Sequence, residues 1–302
     1  MKIHFDNIDM RSTSGPNSFA KKLAHELIRQ GHEITTVHPQ VQLSFIMSAE
    51  KRAPTALRLD GIYFNTSQDW QRMNAPIKKS YDAAQLVVFQ SVFNRNLTTR
   101  YFGAHPNSVV IPNGANLDLI KEVPANADSF LDPFDKIWLC ASSWRPHKRL
   151  SENIRYFMEH AGGRDCLVVA GDGIDPADHA SFAKDPRIFF TGKLNQIQLM
   201  GIMKRAKHFI HLALLDHCPN VVVDARAAGC HIICASSGGT HEIAGSGATV
   251  IQDIEWDWKP FELYNPPMLN FKNVVEIGKD SPVDMKVIAA QYANALSGIA
   301  LL

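Results

Sequence analysis

Two aspartates eight residues apart, Asp216 and Asp224, stand at the richest stretch of the sequence, Leu214-Leu215-Asp216-His217-Cys218-Pro219-Asn220-Val221-Val222-Val223-Asp224-Ala225. An apolar strand pattern ends at the first acid. Pro219 opens a helix, where its missing N–H does no harm, and Asp224 lies inside that helix. A helix N-terminus offers free N–H groups and a positive field, so it suits a phosphate. One carboxylate on either side of such a phosphate can hold sugar hydroxyls. The same spacing equally suits an N-cap aspartate followed by a solvated helix residue. A second polar cluster, Ser142-Ser143-Trp144-Arg145-Pro146-His147-Lys148-Arg149, follows an apolar strand and puts three cations in one loop. That arrangement fits a phosphate site. Arg58 and Asp60 follow a short strand near the start of the chain, where they suit either a cleft or a surface ion pair.

These residues need a scaffold. Ile3–Phe5 reads as a strand, and Phe19, Ala20, Leu23, Ala24, Leu27 and Ile28 recur at helical spacing up to Gly31. Ile34–Val37 is the next predicted strand, which completes a βαβ opening and favours a parallel sheet. The alternation continues through a strand at 56–59, a helix at 76–84, a strand at 86–89, a helix at 93–102 and a strand at 108–111. Residues 116–135 lose periodicity and read as a linker. A second series follows: strand 136–141, helix 150–160, strand 166–170, strand 187–190, helix 196–204, strand 208–214, helix 219–228 and strand 232–235. Val283–Ile299 closes the chain as a helix with one apolar stripe. Two consecutive α/β series predict two facing Rossmann-like domains, with ligands beyond the carboxyl ends of the strands.

Composition narrows the classes. The chain has 302 residues, 45% hydrophobic and 20% charged, and 31 Lys plus Arg against 30 Asp plus Glu. That balance gives no electrostatic case for coating nucleic acid. No apolar run reaches the ~18 residues of a membrane helix. The five cysteines, Cys140, Cys166, Cys218, Cys230 and Cys234, are odd in number and contain no C-x-x-C, which predicts a reducing, cytoplasmic setting with a peripheral place at a membrane left open. His208, His211, His217, Cys218, His231 and His241 crowd together, but without a paired metal motif. The expectation is no metal and no cofactor. Trp144, Trp256 and Trp258 read as packing residues, with 256–267 able to serve as a covering loop.

The acid–x7–acid–Ala segment resembles the E-x7-E signature of the retaining glycosyltransferase family 4, with aspartate at both acidic positions. Ala227-Ala228-Gly229-Cys230-His231-Ile232-Ile233 resembles the turn that follows it, and Ser237-Gly238-Gly239-Thr240-His241-Glu242-Ile243 the family's glycine pair and glutamate. Val110-Ile111-Pro112-Asn113-Gly114-Ala115-Asn116, Phe189-Phe190-Thr191-Gly192 and the Ser12-Thr13-Ser14-Gly15-Pro16-Asn17 loop resemble further segments in the same order. Lys148 matches the family lysine. Ser143 occupies the position of a family arginine, whose place Arg145 or Arg149 would take.

The resemblance implies an α/β protein of the GT-B fold. Residues 1–118 would form an acceptor domain and 119–283 a nucleotide-sugar donor domain, with the 284–302 helix packing on the first. It implies a retaining, metal-independent transfer of a sugar from a nucleotide-diphospho-sugar to a glycan, lipid-linked or protein acceptor. Asp216, Lys148 and Arg145 would be catalytic. Asp216 would hold the transferred sugar and Asp224 the ribose. Gly15, Asn220, Asp224, Gly238, Gly239 and Thr240 would form the donor site, with N–H groups at Pro219–Val221 and near Gly239-Thr240 on the diphosphate. Arg58 and Asp60 would face the acceptor or the reacting sugar. The alternatives are a catalytically silent GT-B domain that binds a sugar or a partner, and another GT-B enzyme such as a nucleotide-sugar epimerase. A Rossmann oxidoreductase is disfavoured, because no G-x-G-x-x-G follows either leading strand.

Overall fold

A computed structural model describes residues 1–12, 14–126, 128–276 and 280–300. Thr13, Leu301 and Leu302, which the sequence reading placed in the glycine loop and the last helix, lie outside the described residues.

The first sheet contains β1 (Lys2–Asp6), β2 (Glu33–Ile34), β3 (Val41–Phe45), β4 (Thr55–Leu59), β5 (Leu86–Phe89) and β6 (Ser108–Val110), in the order β2-β1-β3-β4-β5-β6. Every pairing is parallel. The second contains β7 (Lys136–Ala141), β8 (Asp165–Ala170), β9 (Ile188–Gly192), β10 (Ala206–His211), β11 (His231–Ala235), β12 (Thr249–Ile251) and β13 (Val274–Val275), in the order β13-β12-β11-β10-β7-β8-β9. It is parallel except for the β12–β13 edge pair. The helices of the first half are α1 (Gly15–Arg29), α2 (Trp70–Ala83), α3 (Val92–Phe102) and α4 (Leu117–Glu122). Those of the second are α5 (Leu150–His160), α6 (Pro176–Phe182), α7 (Gln196–Arg205), α8 (Asn220–Ala227), α9 (Thr240–Ile243) and α10 (Met285–Ala300). None of the described helices is long and apolar enough to cross a membrane.

Several elements differ from the sequence reading. The strand expected at 34–37 is only two residues long and sits at the sheet edge. The central strand is instead β3, whose Gln42 and Ser44 are buried beside Asp6. Polar residues in a core strand hide it from a hydrophobicity pattern. Helix α2 starts six residues before the expected Pro76, because Asp69 accepts a hydrogen bond from the Arg72 N–H and caps it upstream. The predicted linker contains α4. The strand expected to run to Leu214 stops at His211, so Asp216 lies on the loop that follows.

Two segments of the second half return to the first. Helix α10 buries Met285, Ile288, Ala289, Tyr292, Leu296 and Ile299 in the same cluster as Phe19, Leu23, Leu43 and Phe45. Its approach pairs with the outgoing chain: Ala115 N donates to Val283 O (2.8 Å) and Met285 N to Ala115 O (2.9 Å). Gly114 lies where the two crossings touch, and a Cβ there would meet Met285 Cα and Ile288 Cγ1 at 2.9 Å. The second return is a strap over residues 254–265. Phe261 N donates to Phe64 O (2.9 Å) and Thr66 N to Phe261 O (3.0 Å). Trp258 stacks on Phe93 with centroids 5.5 Å apart, and Trp256 packs on Phe64 at 4.7 Å.

Candidate active site

The carboxyl ends of the two sheets face each other, and the side chains singled out in the sequence gather between them. Lys148 ends a 3-10 turn (Pro146–Lys148) after β7. Its Nζ meets Asp216 Oδ2 at 2.5 Å, and His211 Nε2, from the last residue of β10, reaches the same oxygen at 2.9 Å. Asp216 Oδ1 accepts the N–H of His217 at 2.9 Å. Burial alone would raise the Asp216 carboxyl, but the Lys148 ammonium and the His211 hydrogen bond overcome it and hold the group well below the usual carboxylate range. Burial pushes His211 down against the pull of Asp216, so a neutral imidazole donates to an ionised carboxylate. A carboxylate offers about four acceptor sites. Three are taken, which leaves Asp216 one for a sugar hydroxyl. Lys148 has two N–H donors beyond its bond to Asp216.

The loop that carries Asp216 is braced from below. Leu215 adopts a left-handed φ of 54°, and its N–H donates to Ser237 Oγ at 3.3 Å. Ser237 Oγ in turn donates to Asp253 Oδ2 at 2.5 Å. Asp253 is held by both guanidinium nitrogens of Arg149, at 2.7 and 3.0 Å, with both side chains only 1% exposed. Arg149 is therefore a structural anchor, not the stand-in for the family arginine that the sequence left open. Arg145 is exposed and forms no hydrogen bond or ion pair through its guanidinium among the described residues, which leaves that cation available beside Lys148.

The glycine pair serves the same loop. A Cβ on Gly238, at φ 80°, would lie 2.4 Å from Asp216 O, and one on Gly239 would lie 2.1 Å from His217 O. The Gly239 N–H is spent on Asp216 O at 2.7 Å, so it is not the free phosphate donor expected from the sequence. Thr240 keeps a buried hydroxyl without a partner. Pro219 is the N-cap of α8, not its first residue, and carries no N–H. The free donors at this helix are those of Asn220 and Val221, and the Asn220 Oδ1 is buried and unpartnered.

The first domain closes on this face. Asp224 receives Lys22 Nζ from α1 on both oxygens, at 2.6 and 2.9 Å. Asn220 Nδ2 donates to Gly15 O at 3.0 Å, and Asn113 Nδ2 donates to Cys218 O at 2.7 Å. Glu242 accepts the first two N–H groups of α3, Val92 at 2.7 Å and Phe93 at 2.8 Å, and so places its charge at a helix N-terminus. The His217 ring packs against Phe93 and Phe64. Gly61 leaves room for it, since a Cβ there would be 2.6 Å from His217 Nε2. Burial lowers His217 to about 4 and His147 to about 3.

Arg58 does not face the cleft. Its guanidinium is 1% exposed, pairs with Asp60, donates to Asn113 Oδ1 at 2.7 Å and lies 4.0 Å above the Phe19 ring. It supports the floor through Asn113, which reaches Cys218 O. Asp60 is mostly buried as well, with its Oδ1 accepting from Gln90 Nε2 at 3.1 Å. The crowded histidines and cysteine form no cluster of three or more potential metal ligands among the described residues. The sequence reading names His211, Asn113 and Glu242 within larger clusters or motifs but assigns none of them, nor Lys22, a place in the site. Lys22 carried a signal, being a charge on the apolar face set by Phe19 and Leu23.

Two facing parallel-sheet domains joined by a short linker, with a return helix closing the first, make this the GT-B fold. The same architecture occurs in HepE of Anabaena, solved with UDP and glucose, at 15% identity over 98% of this chain and 99% of that one, TM-score 0.67. Sucrose-phosphate synthase of Thermosynechococcus elongatus matches at 12% identity over 99% and 96%, TM-score 0.64. A trehalose-phosphate synthase of Burkholderia xenovorans, in complex with glucose-6-phosphate, matches at 13% over 93% and 77%, TM-score 0.59. No curated protein matches the chain in sequence. Residues 135–255 match the family described as Glycosyl transferases group 1. The chain thus has the GT-B fold, and within it residues 135–255 of the second half are what resembles that family.

Proposed function

We propose that the protein transfers a sugar from a nucleotide-diphospho-sugar to an acceptor hydroxyl with retention of configuration and without a metal ion. The observation that carries this reading is the convergence of Lys148, Asp216 and the α8 N-terminus at the carboxyl edge of the second sheet, opposite Gly15. The diphosphate lies against Lys148, Arg145 and the N–H groups of Asn220 and Val221. These groups neutralise the charge that builds on it as the glycosidic bond breaks. Asp216 accepts one hydroxyl of the transferred sugar, and Asp224 accepts the ribose diol. The bonding electrons leave with the diphosphate, and the anomeric carbon passes through an oxocarbenium-like state. The acceptor oxygen bonds to it from the same face, and its proton goes to the departing phosphate oxygen. No side chain is assigned as general base. The acceptor approaches from the first domain.

A silent binding domain is the second reading. It draws on the internal bonds that already occupy Asp216 and Asp224. Thermal stability against nucleoside diphosphates and their sugars separates the two, with Asp224→Ala and Lys148→Ala in parallel. A ligand at 100 times its dissociation constant adds about 2.7 kcal/mol. One selective shift, absent from Asp224→Ala, together with turnover of that donor that Lys148→Ala loses, supports the transferase. A well-folded protein that responds to none of them sinks it.

A further inference from the structure

Asp224, the carboxylate assigned to the ribose, is already engaged across the cleft. Lys22 Nζ spans both of its oxygens, at 2.6 and 2.9 Å, with side-chain exposures of 8% for the lysine and 14% for the aspartate. A vicinal diol binds a carboxylate along that same two-oxygen edge. We propose that Lys22 is a built-in competitor of the donor: its ammonium holds the diol edge of Asp224 while the cleft is empty, and the incoming ribose must displace it. The inference rests on the ribose role given to Asp224.

The surroundings suit an exchange. The displaced ammonium has the Gly114 carbonyl at 3.5 Å and the carboxylate of Glu26 one turn further along α1. The swap would therefore not strand a buried charge. Lys22 and Asp224 belong to opposite domains, so donor arrival breaks one cross-domain tie. The Glu242–α3 and Asn113–Cys218 ties can persist and keep the cleft closed over the substrate. Lys22 thus sets the affinity for the nucleotide, while Lys148 and Asp216 set the rate of the chemical step.

The test is calorimetric titration of UDP, GDP and ADP into the wild-type chain, Lys22→Met, Lys22→Arg and Asp224→Asn, each checked for folding by circular dichroism. Methionine keeps the apolar stem and removes the competitor. Arginine grips both oxygens with a fork that a lysine lacks. For the nucleotide that binds, Lys22→Met should bind roughly fivefold or more tightly than the wild type, Lys22→Arg should bind more weakly, and Asp224→Asn should lose binding. Unchanged affinity in Lys22→Met overturns the competition, and weaker affinity shows that Lys22 touches the donor instead. Either result leaves the ribose assignment standing if Asp224→Asn has lost binding. If Asp224→Asn binds like the wild type, or no chain binds any nucleotide, the ribose assignment falls and the competition with it.

Discussion

The corners around Asp216 and Asp224 carry the same functional group and are built in opposite ways. Asp216 is fixed within one domain by Lys148, His211 and its neighbour's N–H, over a brace that runs from Leu215 through Ser237 and Asp253 to Arg149. Its hydrogen-bond partners all lie in the second domain, although Leu214 and Leu215 beside it pack against the first. Asp224 takes its charged partner from the other domain, so its environment depends on closure. A preorganised corner suits the step that needs fixed charges, and a conditional corner suits the step that admits and releases a ligand.

The largest effect expected is on the brace. Arg149→Met leaves Asp253 buried without its counter-charge, and breaking such a pair costs about 3–5 kcal/mol. Urea unfolding should show that loss. A stability within 1 kcal/mol of the wild type would mean that the Asp216 corner does not depend on it. Next, Lys148→Ala should reduce kcat by about 10²–10³ in a turnover assay while the protein remains folded. A change mainly in KM would move Lys148 from the chemical step to binding and erase the contrast between the corners. Acidification comes third. His217 and His147 are held neutral at about 4 and about 3, against 6.5 for the free side chain. Below pH 6.5 the unfolded chain binds protons that the folded one refuses, so this stability is complete above 6.5 and declines as pH falls towards 4. The melting temperature should drop by several degrees over that range, and His217→Phe should flatten the drop. The smallest effect belongs to closure. Glu242→Gln removes the charge at the α3 N-terminus and should cost about 0.3–1 kcal/mol, with a higher KM for the donor and little change in kcat.

The family resemblance and the two-domain α/β fold were legible because they rest on local signals. Apolar strands, glycine-terminated helices and ordered motifs each need only a short window. The buried Gln42 and Ser44 of β3 and the upstream cap at Asp69 escaped because polar residues there are satisfied by partners far along the chain. The site was readable as a list of side chains but not as a set of bonds. Nothing in Lys148-Arg149 tells which cation turns inward, since that depends on Asp253, over a hundred residues later. The Lys22–Asp224 pair spans 202 residues, and sequence spacing has no means to reveal it.

The return of α10 also bears on how the molecule is made. A chain emerging from the ribosome exposes β1, α1 and β3 first, yet the cluster they form is filled by Met285, Ile288, Tyr292 and Leu296. Those residues arrive after the whole second domain has been synthesised. At roughly 5–20 residues per second, the first domain waits for its last core residues through the translation of every later strand. The first sheet is therefore completed only after the second, and truncation ahead of Met285 would strip these residues from a core nearly three hundred positions away in sequence.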